Sequence, residues 1–278
     1  MSKLPSSDQH LKLSSLTIRP SRVEDAGSIA DLADVRRAQY EGFSPVFWRP
    51  AAEARAKHLP YLAACLADDR YTAMTAVSND EVVGGLVAAH RSAMPPFTED
   101  AELSWLVDDF YVRSPGLWDS VGVHLLRSLV RIATTNTDCE RLIVVTAQRD
   151  LPKRTMLIRE GFQSAACWWV CAVKPPMGVS AGVDIPLTIG SAPSVYDPGG
   201  PTALVRKIIQ PSEIPEIERI AFDAKAIIAI IPARTTDLAL QIALKERGYH
   251  VSSEWFVQPV GRHCVTDQLI QPAGETGP

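Results

Sequence analysis

The chain has little of what would mark a metal centre, a disulfide scaffold, a membrane span or a nucleic-acid surface. Its five cysteines, Cys65, Cys139, Cys167, Cys171 and Cys264, are odd in number and nowhere spaced Cys-x-x-Cys. Neither a zinc site nor a disulfide framework is indicated, and buried reduced thiols are expected. No apolar run approaches the roughly 18 residues that a span requires. The polar opening stretch, residues 1–14, lacks the apolar core of a secretion signal, which points to the cytoplasm. With 28 basic residues against 32 acidic ones, a net charge of -4 and no basic block, the chain offers no electrostatic track for a phosphate backbone. No metal, membrane or nucleic acid is therefore expected as a partner.

What is present is a globular pattern: 278 residues, 46% of them hydrophobic, enough for two modest domains or one large one. Leu16 to Pro20 alternates like a strand, and the following stretch to Tyr40 has apolar residues at helical spacing. After breaks at Pro45 and Pro50, helical spacing resumes over Ala51 to Leu66. YTAMTAV and VVGGLVAAH, parted by the turn-rich SNDE, predict a hairpin. A strand over Glu102 to Val112, a helix from Val121, the apolar strand RLIVVTA, a helix stopped at Gly161 and the strand ACWWVCAV complete the series. The order implies an α/β layered domain, equally α+β, with a mixed sheet.

Residues 176–201 are rich in Pro, Gly and Ser and read as a linker or long ordered loop. Beyond them β, α, β, α, β patterns recur to residue 264, before a polar tail at 265–278. A shift of 87 superposes Asp150 on Asp237, Leu157 on Leu244, Gly161 on Gly248, Trp168 on Trp255 and Val170 on Val257 without a gap. A helix, its glycine stop and the following aromatic strand thus repeat. The expected division is residues 15–175 as a complete domain and 202–264 as a smaller half-repeat, which lacks a counterpart to the WLVDDFYV strand and serves packing.

The chemistry-bearing segment is Leu106 to Leu126, LVDDFYVRSPGLWDSVGVHLL, a strand running through a loop into a helix. Such a junction turns backbone N–H groups and a helix dipole toward one point, as an anionic diphosphate requires; an ordinary strand-to-helix turn is the plainer alternative. Asp108 and Asp109 are the candidate acid/base residues. As neighbours on a strand they are expected on opposite faces, one of them toward a cleft; pairing with Arg113 or Arg127 is the structural alternative. The aromatics Tyr40, Phe43, Phe47 and Trp48 could line a pocket for an apolar or aromatic group, with Glu41 available to a cation, or simply anchor their loop. Trp168, Trp169, Trp255 and Phe256 read as core or as a seam between units. Tyr111 is expected to pack in the sheet and His124 to sit on a helix surface.

The segment resembles motif A of the GNAT N-acetyltransferases: acidic-Asp-aromatic-aromatic-Val, a loop, then Gly-x-x-x-Leu-Leu compressed onto Gly122 and Leu125-Leu126. The downstream REGF resembles the family's Gly-Phe element, and the resemblance covers about Leu16 to Val173. It implies a GNAT-like mixed sheet flanked by helices, with acetyl-CoA as acyl donor. The backbone of Phe110, Tyr111 and Val112 would pair with the pantetheine arm, and the loop from Leu117 through Asp119, Ser120, Val121, Gly122 and Val123 would hold the pyrophosphate. The family's Arg/Gln is here Leu117, its first loop glycine Ser120, and its usual tyrosine acid Leu157. The implied activity is direct transfer of an acetyl group to a small-molecule or amino-acid-like amine. The alternatives are a catalytically silent acyl-CoA-binding or assembly module, or an enzyme using another acyl-CoA. A homodimer is left open.

Overall fold

The computed structural model describes residues 15–175 and 185–260. The opening stretch, residues 176–184 of the expected linker, Cys264 and the tail lie outside the described residues. The elements run β1 (Thr17–Pro20), α1 (Ala26–Glu41), α2 (Ala54–Leu66), β2 (Tyr71–Ser78), β3 (Glu81–Ala89), β4 (Ser104–Val112), α3 (Val123–Thr135) and β5 (Arg141–Ala147). They continue as α4 (Leu151–Arg159), β6 (Gln163–Ala172), β7 (Leu187–Gly190), β8 (Thr202–Val205), α5 (Ile214–Asp223), β9 (Ile228–Arg234), α6 (Leu238–Glu246) and β10 (His250–Pro259). The expected helix over Ala51 to Leu66 begins at Ala54, after Glu53 in the left-handed region (φ 61°).

All ten strands form one sheet in the order β1-β2-β3-β4-β5-β10-β6-β9-β8-β7. The mixed α/β architecture expected from the sequence is present. Its connectivity is not that of two adjacent units. The last strand, β10, inserts antiparallel between β5 and β6, and β6 in turn pairs antiparallel with β9. Each half therefore contributes its final strand to the other. The elements β5, α4 and β6 and the elements β9, α6 and β10 have equal lengths and boundaries offset by 87 throughout. The sheet reads the same from both sides of the β10/β6 pair: β5, β4 and β3 on one flank, β9, β8 and β7 on the other.

Local chemistry explains the matching helices. Asp150 and Asp237 cap α4 and α6, accepting from the N–H of Lys153 and Leu240 respectively, which satisfies donors that a helix start leaves unpaired. Gly161 and Gly248 stop them at φ +88° and +86°, where a side chain would be strained. The expectation that the second half lacks a middle needs correcting. Short β8, parallel to β9, holds the place of β4, and β7 lies within the stretch read as linker. The strand pattern after the linker corresponds to β8, while β7 was hidden because a four-residue edge strand carries too few alternations to register.

One face of the sheet carries α3 to α6. There Leu126, Leu129, Met156 and Leu157 pack on Trp105, Val107, Leu142, Val144 and Phe256, while α5 and α6 pack on Cys167, Trp169, Ala229 and Ile231. Cys65, Cys139, Cys167 and Cys171 are buried free thiols, as expected. On the opposite face α1 and α2 cover β2 to β4, and the remainder is roofed by loops. Among the described residues no helix is long and apolar enough to cross a membrane.

Candidate active site

Strands β4 and β5 run parallel and pair from Ser104↔Arg141 to Val107↔Val144, then part. At the parting point β4 carries a bulge: Val107 faces Ala88 and Asp109 faces Val87, leaving Asp108 as the extra residue. A bulge breaks strict alternation. Asp108 and Asp109 consequently line the same cavity, which corrects the expectation of opposite faces.

The cavity, of about 390 Å³, lies on the face that α3 to α6 leave uncovered. Its floor is β4, β5, β10, β6 and β9, represented by Leu106, Val145, Trp255, Trp168 and Ile230. Asp109 is fixed from two sides. His58 Nε2 lies 3.2 Å from its Oδ1, and the Tyr111 hydroxyl donates to the same oxygen at 2.5 Å. Arg37 Nη1 donates to His58 Nδ1 at 3.2 Å, so the proton shared with Asp109 is on Nε2. Burial pushes the Asp109 carboxyl up, but the His58 and Tyr111 hydrogen bonds and the Arg37 charge outweigh it and hold the carboxyl below its ordinary value.

Asp108 has no hydrogen bond or ion pair among the described residues. It is exposed, yet the surface it exposes is the inside of the cavity. Enclosure by protein, and then the adjacent Asp109 charge, raise its pKa to about 6 against the pull of Lys153 and His58. Neither aspartate pairs with the arginines considered: Arg113 binds Glu81 and Arg127 binds Glu160. Tyr111 packs beside α1 and α2, but its hydroxyl serves the site.

Between the cavity and the loop after β4 stands a wall of buried cations and one indole. Lys153 Nζ donates to Val145 O at 2.8 Å, tying off a carbonyl just where β5 leaves β4. Burial lowers its pKa from 10.5 to about 8. Arg36 binds Asp150 at 3.0 Å, which also accepts from the Tyr40 hydroxyl. Trp118, fully buried, stands edge-on to Phe110 at 4.9 Å, with the Arg36 guanidinium 5.0 Å and Lys153 Nζ 5.5 Å from its ring.

Of the expected cofactor-loop residues, Phe110 and Tyr111 border the cavity; Val112, Leu117, Asp119, Ser120, Val121, Gly122 and Val123 do not. The loop closes on itself, with Leu117 N–H bonded to Ser114 O and Trp118 N–H to Pro115 O. Asp119 pairs with Arg159, and exposed His124 bonds Ser120 O. Of the acceptor-pocket candidates, Tyr40, Phe47 and Trp48 line the cavity, whereas Glu41 and Phe43 do not. Phe43 instead packs on Tyr40 and under Arg149.

Sequence reasoning missed His58, Arg37, Lys153 and Tyr196. Two of them left a signal. His58 shares the buried stripe of α2 with Leu62 and Cys65, and Lys153 shares that of α4 with Met156 and Leu157; a polar group on an apolar stripe needs a partner. Trp168 and Trp255, read as seam, touch each other at 5.2 Å and also floor the cavity.

No protein-family model matches the chain, and no curated protein does. Solved structures do. An acetyltransferase from Clostridium acetobutylicum, solved with acetyl-CoA, is 14% identical over 53% of this chain and 90% of its own, with a TM-score of 0.43. A GNAT-family acetyltransferase from Streptococcus pneumoniae is 15% identical over 54% and 85%, TM-score 0.39. An N-acetyltransferase from Staphylococcus aureus Mu50 is 8% identical but covers 88% of this chain and 97% of its own, TM-score 0.42. The chain is similar to these acetyltransferases, at low identity and with TM-scores below 0.5.

Proposed function

We propose that this chain is an acyltransferase of the GNAT type, moving an acetyl group from acetyl-CoA directly onto the amine of a small molecule held in the cavity. The observation that carries the reading is the bulge, which sets an unengaged carboxylate, Asp108, at the mouth of the β4/β5 crevice. Beyond Val107 the edge of β4 is unpaired by β5, so its backbone is free to pair with an amide-bearing arm. That end of the site fits acetyl-CoA. The diphosphate end fits less well, since Trp118 fills the space behind Phe110 and loop amides are already bonded.

Acetyl-CoA, when bound, supplies the activated acyl carbon. The protein's share is positioning and proton handling. Asp108, ionised above about pH 6, takes the proton that makes an ammonium nucleophilic. Asp109, held by His58 and Tyr111, fixes the strand end. Leu157 has no proton to give and is fully buried; Lys153 Nζ, one turn earlier on α4, is the proton-bearing group on that side. We take the offset of 87 as a duplication, residues 15–175 carrying the chemistry and the described residues 185–260 completing sheet and cavity.

Calorimetric titration of acetyl-CoA, with thiol release measured across an amine panel, tests the reading. Micromolar binding and turnover, with turnover lost and binding kept in Asp108→Asn, supports it. Absence of both in the wild type overturns acyl transfer. The second reading, a module that binds the small molecule without acyl transfer, is favoured by one feature, the buried Trp118, and would then stand.

A further inference from the structure

We infer that the cavity selects an ammonium ion carrying a flat apolar body, such as an arylalkylamine, and that the C-terminal half of the chain builds the part of the cavity that reads this body. The inference deepens the function proposed above by naming the acceptor class, but it needs no acyl donor to be tested.

Six side chains of full or potential charge besides Asp108 border the cavity: Arg36, Arg37, Lys57, His58, Asp109 and Lys153. Arg36 is taken by Asp150 and Gln39, and Arg37 by Asp34 and His58. Lys153 is spent on Val145 O, and Asp109 on His58 and Tyr111. Lys57 lies on the exposed side of α2 and reaches the rim. Among the described residues, the charged group that faces the interior with neither a hydrogen bond nor an ion pair is the Asp108 carboxylate, so the interior asks for a cation with hydrogen-bond donors, and a primary ammonium supplies both.

The body of the ligand is set by the walls. Phe47, Trp168 and Trp255 form a run of rings, with Phe47 and Trp168 at 6.4 Å and Trp168 and Trp255 at 5.2 Å, and Ile228 and Ile230 extend it. A flat apolar group is the shape such a slot accepts, and ring faces also favour a nearby cation.

Trp255, Ile228 and Ile230 come from β10 and β9, after the second half has crossed into the sheet. The roof comes from there too. Residues 192–196 lie over the cavity and are sewn to the connection after α1: Pro50 bridges Tyr196, Ala51 N–H bonds Val195 O at 3.0 Å, and Tyr196 packs on Trp48 at 5.2 Å. Strand exchange thus makes the second half part of the acceptor site, rather than packing alone.

The test is calorimetric titration of the full chain at pH 8, without acetyl-CoA, using 2-phenylethylamine, ethylamine and 3-phenylpropionate. The arylalkylamine is expected to bind at least tenfold more tightly than either of the others. Asp108→Asn should weaken it about tenfold or more, as loss of a charge-assisted contact does. Ile230→Phe, which fills the slot from β9, should abolish binding while the thermal unfolding transition is retained. Tighter binding of the carboxylate would mean that Lys57 and the arginines rule the cavity, and would overturn the inference. Equal binding by ethylamine, indifference to either substitution, or no binding by any probe would do the same. Binding of the arylalkylamine without acetylation keeps the inference and removes the acyl-transfer reading.

Discussion

Replacing Trp118 should cost stability and open the crevice at once, and the two effects can be separated. The indole is fully buried, touches Phe110, Arg36 and Lys153, and its Nε1 has no hydrogen-bond partner. Trp118→Ala therefore removes packing without orphaning an acceptor, and about 3–5 kcal/mol is expected in a chemical denaturation series, the usual range for deleting a buried Trp. The same indole dictates a neighbour. A Cβ at Gly122 would lie 2.6 Å from Trp118 Cε3, closer than real contacts permit, so Gly122→Ala should be destabilising by about 1–3 kcal/mol in the wild-type background. In the Trp118→Ala background that clash is gone, and alanine should be neutral or better by up to about 1 kcal/mol, as its helix propensity dictates. A double-mutant cycle should thus show coupling of about 1–4 kcal/mol. The vacated space borders the unpaired β4 edge, so acetyl-CoA should bind Trp118→Ala more tightly than wild type. At one hundred times its Kd, the ligand should restore about 2.7 kcal/mol of the lost stability. An additive cycle would refute the packing argument; equal acetyl-CoA affinity in the two proteins would refute the claim that Trp118 closes the crevice.

Other outcomes follow from the charges and turns. Ammonium binding should strengthen as pH rises through about 6, the Asp108 value, because only the carboxylate engages the cation; titration of affinity against pH reads the midpoint. Asp109→Asn removes the neighbouring charge that raises Asp108 and should move that midpoint downward; an upward shift would contradict the assignment. Lys153→Met relieves a buried ammonium but leaves the Val145 carbonyl unpaired, and should on balance stabilise the fold by about 1 kcal/mol at pH 7. The native amine has its pKa lowered from 10.5 to about 8, so the cost of burying the charge is full below about 8 and fades toward 10.5, and the advantage of Met should vanish over that interval in denaturation curves. Gly161→Ala and Gly248→Ala should each cost about 1 kcal/mol in the same assay, since both positions hold positive φ.

Parts of the site were legible for identifiable reasons. Asp108 and Asp109 stand out because two carboxylates on an otherwise apolar strand need an account. Phe47 and Trp48 stand out because aromatics in a proline-bounded loop must be covered by something. What could not be read was their relation. One bulged residue decides that both aspartates share a cavity, and a bulge depends on how β3 pairs, which no local spacing encodes. The state of the expected pyrophosphate loop is illegible for a comparable reason. Ser120 and Gly122 stand at the two loop-glycine positions, but Trp118 just before them is buried rather than solvent-facing, and side-chain burial is settled by the packing of Phe110 and α4.

The sequence by itself determined the strand and helix order outside β7, the caps at Asp150 and Asp237, the stops at Gly161 and Gly248, and the offset of 87, because each is written in local periodicity or in a residue's own backbone preference. Only the tertiary structure decided that β10 crosses to lie between β5 and β6. Either final strand has nearly the same alternation and aromatic content, so local pattern cannot choose its neighbours. The choice is made where their faces meet the two cores, Phe256 among the side chains under α3 and α4 and Trp169 among those under α5 and α6, and that exchange gives the cavity its second wall.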